Sequence, residues 1–309
     1  MNKILSAILL ISVIIFYACD SDKSKGKINQ TSGDKVLDEL NALVESEPAD
    51  PSRLYQRAEY QFNNENYDAC IDDLNQAIKM DSTKVEYYHL LSDAYMDYYR
   101  SKDALQTMEK CVVAVPKDVH SLLKLSETQL ILKKYDESLM SVNKILSMND
   151  QNAEAFFMMG MNLKAQNNKE KAISAFQMAT EIDPELIDAW MILGDLFSET
   201  KNPLALDYYN AAIELAPENP ATYHSKAFYL QNNGKVNEAI ALYKEINMVD
   251  KNYADAYLNM LEQLKVSSKE DTAILFQGLV ESCMNCHRAM CPGPMVRIKK
   301  LYLKKSIYI

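Results

Sequence analysis

The sequence predicts an all-α fold of stacked antiparallel helix pairs, and three observations predict it. A period of 34 residues runs from about residue 50 to residue 264. The composition, 48% apolar and 25% charged, can bury a core, whereas 7 Gly and 9 Pro in 309 residues leave too little turn chemistry for an all-β sandwich. Two places in each of the six complete units are reserved for small side chains, as close helix–helix approach requires.

The units, written under one another, are 51–84, 85–118, 119–152, 153–186, 187–219 and 220–253. A leading helix over 35–50, with apolar spacing from Val36 to Val44, precedes them, and a partial seventh unit over 254–281 follows. The eighth place holds Ala58, Ser92, Ser126, Gly160, Gly194, Ala227 and Leu261. The twentieth holds Cys70, Ala104, Ser138, Ala172, Ala205 and Ala239. The fourth is large: Leu54, Tyr88, Leu122, Phe156, Trp190, Tyr223 and Tyr257. Pro116, Pro184 and Pro217 follow helix ends, where a proline does no damage. Unit 187–219 is one residue short in its inter-helix turn before Ala205.

This pattern resembles the tetratricopeptide repeat, most fully in 153–186 with Phe156, Met159, Gly160, Leu163, Ala172, Phe176, Ala179 and Pro184 in place. The resemblance implies an α-solenoid, a right-handed superhelix of antiparallel helix pairs. A single hairpin cannot cover its own apolar face, so neighbours must stack. The aromatic and Met stripes, Trp190 included, are therefore expected mostly in the core. Cys70 and Cys111 fall on small-residue core places and read as buried thiols, with a disulfide between them left open.

The first 18 residues have a basic start at Lys3 and an apolar stretch from Ile4 to Tyr17, too short to span a bilayer, and read as a signal peptide. Phe16-Tyr17-Ala18-Cys19 resembles the lipobox of bacterial lipoproteins, which implies acylation of Cys19 and a membrane anchor. Residues 19–34 are small, polar and charged, a flexible tether with acids at Asp20 and Asp22. The expected address is the bacterial cell envelope, with the outer membrane or cell surface favoured.

In the tetratricopeptide family the first helix of each unit lines a groove. Carried onto this chain, its fifth place gives Tyr55, His89, Leu123, Phe157, Met191, His224 and Leu258. The ninth gives Glu59, Asp93, Glu127, Met161, Asp195, Phe228 and Glu262, and the second adds Glu86, His120, Glu154, Asp188 and Asp255. The implied groove is acidic with apolar and aromatic inserts, suited to peptides with Lys or Arg beside hydrophobic side chains. It would repel the terminal carboxylates that basic clamps of this family hold. The plainer reading of these acids is a solvated, soluble face. The singly scattered His residues read as packing or hydrogen-bonding groups. No nucleophile–base pair, phosphate loop or metal motif stands out over 50–264, so no enzyme and no cofactor is expected there.

Residues 282–309 hold six of the 33 Lys and Arg and none of the 43 acids, leaving 19–281 with 26 bases against 43 acids. The acidic balance argues against nucleic acid as a partner. Cys283-Met284-Asn285-Cys286-His287 fits the C-x-x-C-H pattern of haem c attachment, with Met290 or Met295 as the other axial ligand, or with Cys291 a zinc site. A Cys283–Cys286 disulfide or free thiols is the plainer alternative. The cations interleaved with Val296, Ile298, Leu301 and Leu303 suit an anionic membrane or the acidic groove, and an altered reading frame would also produce such an ending. The functional expectation is a membrane-tethered, protein-binding scaffold or assembly factor, similar in layout to repeat-containing envelope lipoproteins of the pilotin type. The alternative is a haem-bearing electron carrier.

Overall fold

Thirteen α-helices and no strand occur among the residues that the computed structural model describes, 34–250 and 253. They fall into two compact units, one up to Met80 and one from Asp81 onward.

The first unit contains α1 (Lys35–Ser46), α2 (Pro51–Asn63) and α3 (Tyr67–Met80). Local chemistry starts α1 and α2 where they start. Asp34 accepts from the Val36 and Leu37 amides, and Asp50 accepts from Ser52 N at 2.9 Å with Pro51 in the first turn. Ala58, Cys70, Leu74 and Ala77 meet between α2 and α3 with no exposure. Burial, with Asp73 nearby, pushes the Cys70 thiol up to about 12, so it stays protonated and inert.

The second unit contains α4 (Val85–Asp97), α5 (Ser101–Ala114), α6 (Val119–Ile131), α7 (Tyr135–Met148), α8 (Ala153–Ala165), α9 (Lys169–Ile182), α10 (Ile187–Ser198), α11 (Ala205–Leu215), α12 (Pro220–Asn232) and α13 (Val236–Val249). Successive pairs form hairpins, and the core runs on from hairpin to hairpin: Leu122, Val142 and Ile145 pack with Ala155 of the next pair, and Phe176 with Leu193 of the one after. This is the all-α stacking of antiparallel helix pairs that the 34-residue period implies, in which each hairpin's apolar face is covered by its neighbour.

The small eighth and twentieth places are sealed at every described hairpin. Four residues beyond the twentieth stand Leu74, Met108, Val142, Phe176, Tyr209 and Tyr243, all essentially unexposed. Gly160 and Gly194 face two of the three aromatic rings among them, and Ala227 stands with the third, Tyr243. A Cβ at Gly160 would come within 2.7 Å of the Phe176 ring, and one at Gly194 within 2.4 Å of the Tyr209 ring. The buried tyrosine hydroxyls find acceptors on the preceding helix, Asp195 Oδ1 at 2.9 Å for Tyr209 and Gln231 Oε1 at 2.9 Å for Tyr243.

One turn geometry links every hairpin. Glu65, Tyr99, Lys133, Asn167, Lys201 and Gly234 take positive φ between 56° and 79°. The amide after each donates back to the helix, from Asn66 N to Gln61 O at 2.8 Å through Lys235 N to Leu230 O at 2.9 Å, a Schellman closure of the helix end. The missing residue of 187–219 lies between Lys201 and Ala205, where Pro203 sits, and it shortens α11 to 11 residues against 14 in α9.

The expectation that the aromatic and Met stripes are core needs correction. Trp190 is half-buried beside Tyr208, ring centroids 5.9 Å apart, with its indole N–H donating to Pro184 O at 2.8 Å. Its polar edge needs a partner, so it lies at the margin of the fold. Met140 and Met248 on second helices are 71% and 74% exposed. Cys70 and Cys111 are both buried free thiols.

Candidate functional site

In the first unit, Tyr55 is half-buried and Glu59 is exposed on α2. Arg57 between them turns away from solvent, its guanidinium bidentate to Asp73 at 2.7 and 2.6 Å and reaching Asn41 Oδ1 at 2.8 Å. That fork ties α1, α2 and α3 together.

In the second unit, first helices of successive hairpins lie side by side and exchange polar contacts. His89 Nε2 and Ser121 Oγ are 2.7 Å apart across α4 and α6, and Ser121 Oγ is 3.2 Å from Cys111 Sγ. Burial, together with His120 and Lys124, holds the His89 imidazole below its ordinary value, and Asp118 and Asp93 oppose this only in part. This is a nucleophile–base pair that the sequence reading did not find. Ser121 is fully enclosed, so the pair joins two hairpins and offers no atom to a substrate. Lys124 Nζ reaches Asp93 Oδ1 at 2.6 Å, so part of the implied acidic surface is neutralised by a cation from the next hairpin. Glu127 is exposed, as are His120, Glu86, Glu154 and Asp188, whereas Phe157 and Met161 lie half-buried against the Phe176 cluster.

Asp195, His224 and Phe228 come together. They share a cavity of about 610 Å³ with Ser198, Glu199 and Tyr229 among its other walls, formed by α10, α11 and α12. That volume lies in the range of about 300–1,000 Å³ common to ligand sites. Burial is the largest influence on Asp195 and raises its carboxyl above the ordinary range. Glu199 acts in the same direction, while the Tyr209 hydroxyl and Lys164 pull the other way. His224 stacks on Phe228 with centroids 6.4 Å apart and planes 15° from parallel. The Tyr229 hydroxyl donates to the Asn202 carbonyl at 3.1 Å and so pins α12 to the turn after α10. Phe228 is 48% exposed, a large apolar face beside a carboxylate. Glu199 is ion-paired with Lys169, which leaves Asp195 as the cavity's deep acid.

The expected lipidation site Cys19, the C-x-x-C-H residues Cys283, Cys286 and His287, and the groove positions Asp255, Leu258 and Glu262 lie outside the described residues. Among the described residues no group of three or more His, Cys, Asp and Glu is placed to hold a metal. No described helix is long and apolar enough to cross a membrane.

The FAT domain family profile matches residues 31–233. The chain is 25% identical over 158 residues to the DnaJ homolog subfamily C member 7 homolog of Dictyostelium discoideum, which covers 45% of this chain and 29% of that protein. Curated relatives match over only 9% to 29% of their own length. A tetratricopeptide repeat protein from Parabacteroides merdae superposes with a TM-score of 0.58 at 14% identity, covering 74% of this chain and 91% of that one. The pilF protein of Pseudomonas aeruginosa superposes with a TM-score of 0.51 at 17% identity, covering 71% and 97%.

Proposed function

The chain belongs to the FAT domain family, and from that premise we propose that it is a non-catalytic scaffold that captures partner proteins through segments bearing a Lys or Arg beside apolar side chains. One observation carries this reading: Asp195 is kept in a partly enclosed cavity that raises its carboxyl, next to the exposed Phe228 ring. A carboxylate that burial disfavours gains most from an incoming cation, and the neighbouring ring offers apolar contact and a face for that cation. Stacked hairpins supply a rigid wall for such recognition, with no cofactor and no part for nucleic acid. The anchor belongs to the same reading: Cys19 carries the lipid and holds the repeats at a membrane of the bacterial envelope, outer membrane or cell surface, in the manner of pilotins and assembly factors.

The test is binding of a short fluorescent peptide of alternating Lys and Leu, with a Glu–Leu peptide as control. Asp195→Asn keeps an acceptor for the Tyr209 hydroxyl and removes only the charge. It should weaken the Lys–Leu peptide about tenfold, equivalent to about 1.4 kcal/mol, while thermal stability holds or rises because a disfavoured buried charge is gone. Equal binding by both proteins, or equal capture of the Glu–Leu peptide, would sink the proposal. For the anchor, Cys19→Ala should move the protein from the membrane to the soluble fraction.

A further inference from the structure

We propose that the acid-free segment 282–309 of this same chain docks into the cavity of Asp195, His224 and Phe228, with a cation from 297–305 set against the Asp195 carboxylate. The inference rests on reading that cavity as a site for cation-bearing peptides, and it assigns the occupant that competes with any partner.

Four observations support it. The first is where the chain goes. Tyr253 packs against the cluster of Ala227, Leu230 and Tyr243, and its ring centroid is 5.6 Å from that of His224, which lines the cavity. The last described residue before the segment therefore lies against a residue of the cavity wall. The second is reach. From Tyr253 to residue 297 even a wholly helical path extends roughly 65 Å at about 1.5 Å per residue, several times the width of the cavity, so the connection imposes no strain.

The third is charge. The segment holds six Lys and Arg and no acid, against 26 bases and 43 acids over 19–281. Lys169 already holds Glu199, and Lys124 holds Asp93, so those acids are spoken for, whereas Asp195 sits in the cavity with its carboxyl raised by burial. The fourth is pattern. Arg297, Lys299, Lys300, Lys304 and Lys305 are interleaved with Val296, Ile298, Leu301 and Leu303. The cavity likewise sets its carboxylate beside the half-exposed Phe228 and the Tyr229 ring. A tethered segment meets such a site at an effective concentration of roughly millimolar. A contact too weak to hold a free peptide is thus populated within the chain, and a partner must displace it.

Zero-length carbodiimide cross-linking of the full chain, read by mass spectrometry, is the direct test. Cross-links from Asp195 or Glu199 to Lys299, Lys300, Lys304 or Lys305, in a yield independent of protein concentration, are the expected result. Their absence, or a yield that rises with concentration as contact between two copies would give, overturns the proposal. A second variant does not depend on the cross-linker: the full chain carrying K299E, K300E, K304E and K305E. Amide exchange over 195–201 and 224–233 should quicken about tenfold, and the Lys–Leu peptide should bind several-fold more tightly. If Asp195→Asn weakens that peptide but the charge-reversed segment changes neither exchange nor affinity, the internal ligand is wrong and the partner site stands. If the cross-links form and Asp195→Asn leaves peptide binding unchanged, the segment docks and the partner site is wrong.

Discussion

The hairpin of α6 and α7 and the hairpin of α8 and α9 make the same crossing with opposite chemistry. In the first, Ser126 and Ser138 face each other with hydroxyls 2.8 Å apart, Ser138 Oγ donates to Ser126 O at 2.7 Å, and Val142 fills the space beyond. In the second, the same three places hold Gly160, Ala172 and Phe176. As the third side chain grows from Val to Phe, the first two lose their hydroxyls and shrink. The larger third side chain is matched by a smaller first one, while the polarity of the crossing changes altogether. Close packing sets the distance between the helices, and the choice between hydrogen bonds and an aromatic ring is secondary to it.

The largest effect should come from breaking that volume rule. Gly160→Val places methyl groups where even a Cβ would be 2.7 Å from the fully enclosed Phe176 ring. A loss of about 3 kcal/mol is expected from overpacking, read as a lower urea midpoint. Adding Phe176→Leu should recover at least half of it. Purely additive losses in that double-mutant cycle would mean that the two places do not share one volume.

The polar crossing should yield less. Ser138→Ala removes the shorter of the two contacts of Ser126 Oγ, leaving it the Ser138 carbonyl at 3.3 Å, and one of two acceptors of Asn162 Nδ2, which donates to Ser138 Oγ at 2.8 Å and to Met158 O at 2.9 Å. About 1–2 kcal/mol is expected, the cost of losing buried hydrogen bonds with no water to replace them. Ser126→Ala with Ser138→Ala should cost less than the sum of the single changes, since the hydroxyl–hydroxyl contact the two share is lost only once.

Most of this crossing was legible in the sequence, because a place restricted to Ala, Ser, Cys and Gly in all six complete units states a steric requirement whatever the neighbours are. The partners of the groove residues were not. Asp93 pairs with Lys124 and His89 meets Ser121, at separations of 31 and 32 residues, and on the second helices Gln177 meets Tyr208 at 31. These are neighbours across adjacent hairpins, a few residues short of one period. Opposite charges at that offset were the available signal, and reading each place down its own column hides it. The cavity at Asp195 depends on the turn near Lys201 and on Tyr229 reaching back to Asn202, which no local pattern announces. Trp190 misled for another reason: the family's large fourth place is apolar in area, yet an indole N–H must still find an acceptor, and here it finds one at the surface.

The His89–Ser121 bridge extends the polar side of the comparison and gives it a pH signature. The folded protein holds the His89 imidazole below its ordinary value, so the unfolded chain takes up a proton first as the solution is acidified. Stability should be unaffected by this group above about pH 6.5 and should fall as pH drops through the range between the unfolded and folded values. His89→Gln keeps a hydrogen-bonding group towards Ser121 without that titration, and its urea midpoint should decline less between neutral and mildly acidic pH. Identical pH profiles would show that the bridge is not what resists protonation.

The smallest effect separates the turns. Five of the six inter-helix turns hold a residue with a Cβ at positive φ, and one holds Gly234. A side chain there costs about 1–2 kcal/mol in the left-handed region, partly offset because glycine has more freedom to lose on folding. Tyr99 has φ 59° and is 96% exposed, so it has almost no packing to forfeit. Tyr99→Gly should therefore raise stability by about 0.5 kcal/mol, and Gly234→Ala, with open space around its would-be Cβ, should lower it by about 1 kcal/mol. Both are read from urea midpoints with unchanged slopes. A gain at 99 together with a loss at 234 assigns the strain to backbone φ alone. A loss at both would instead mean that the Tyr99 side chain contributes to stability in a way its exposure conceals.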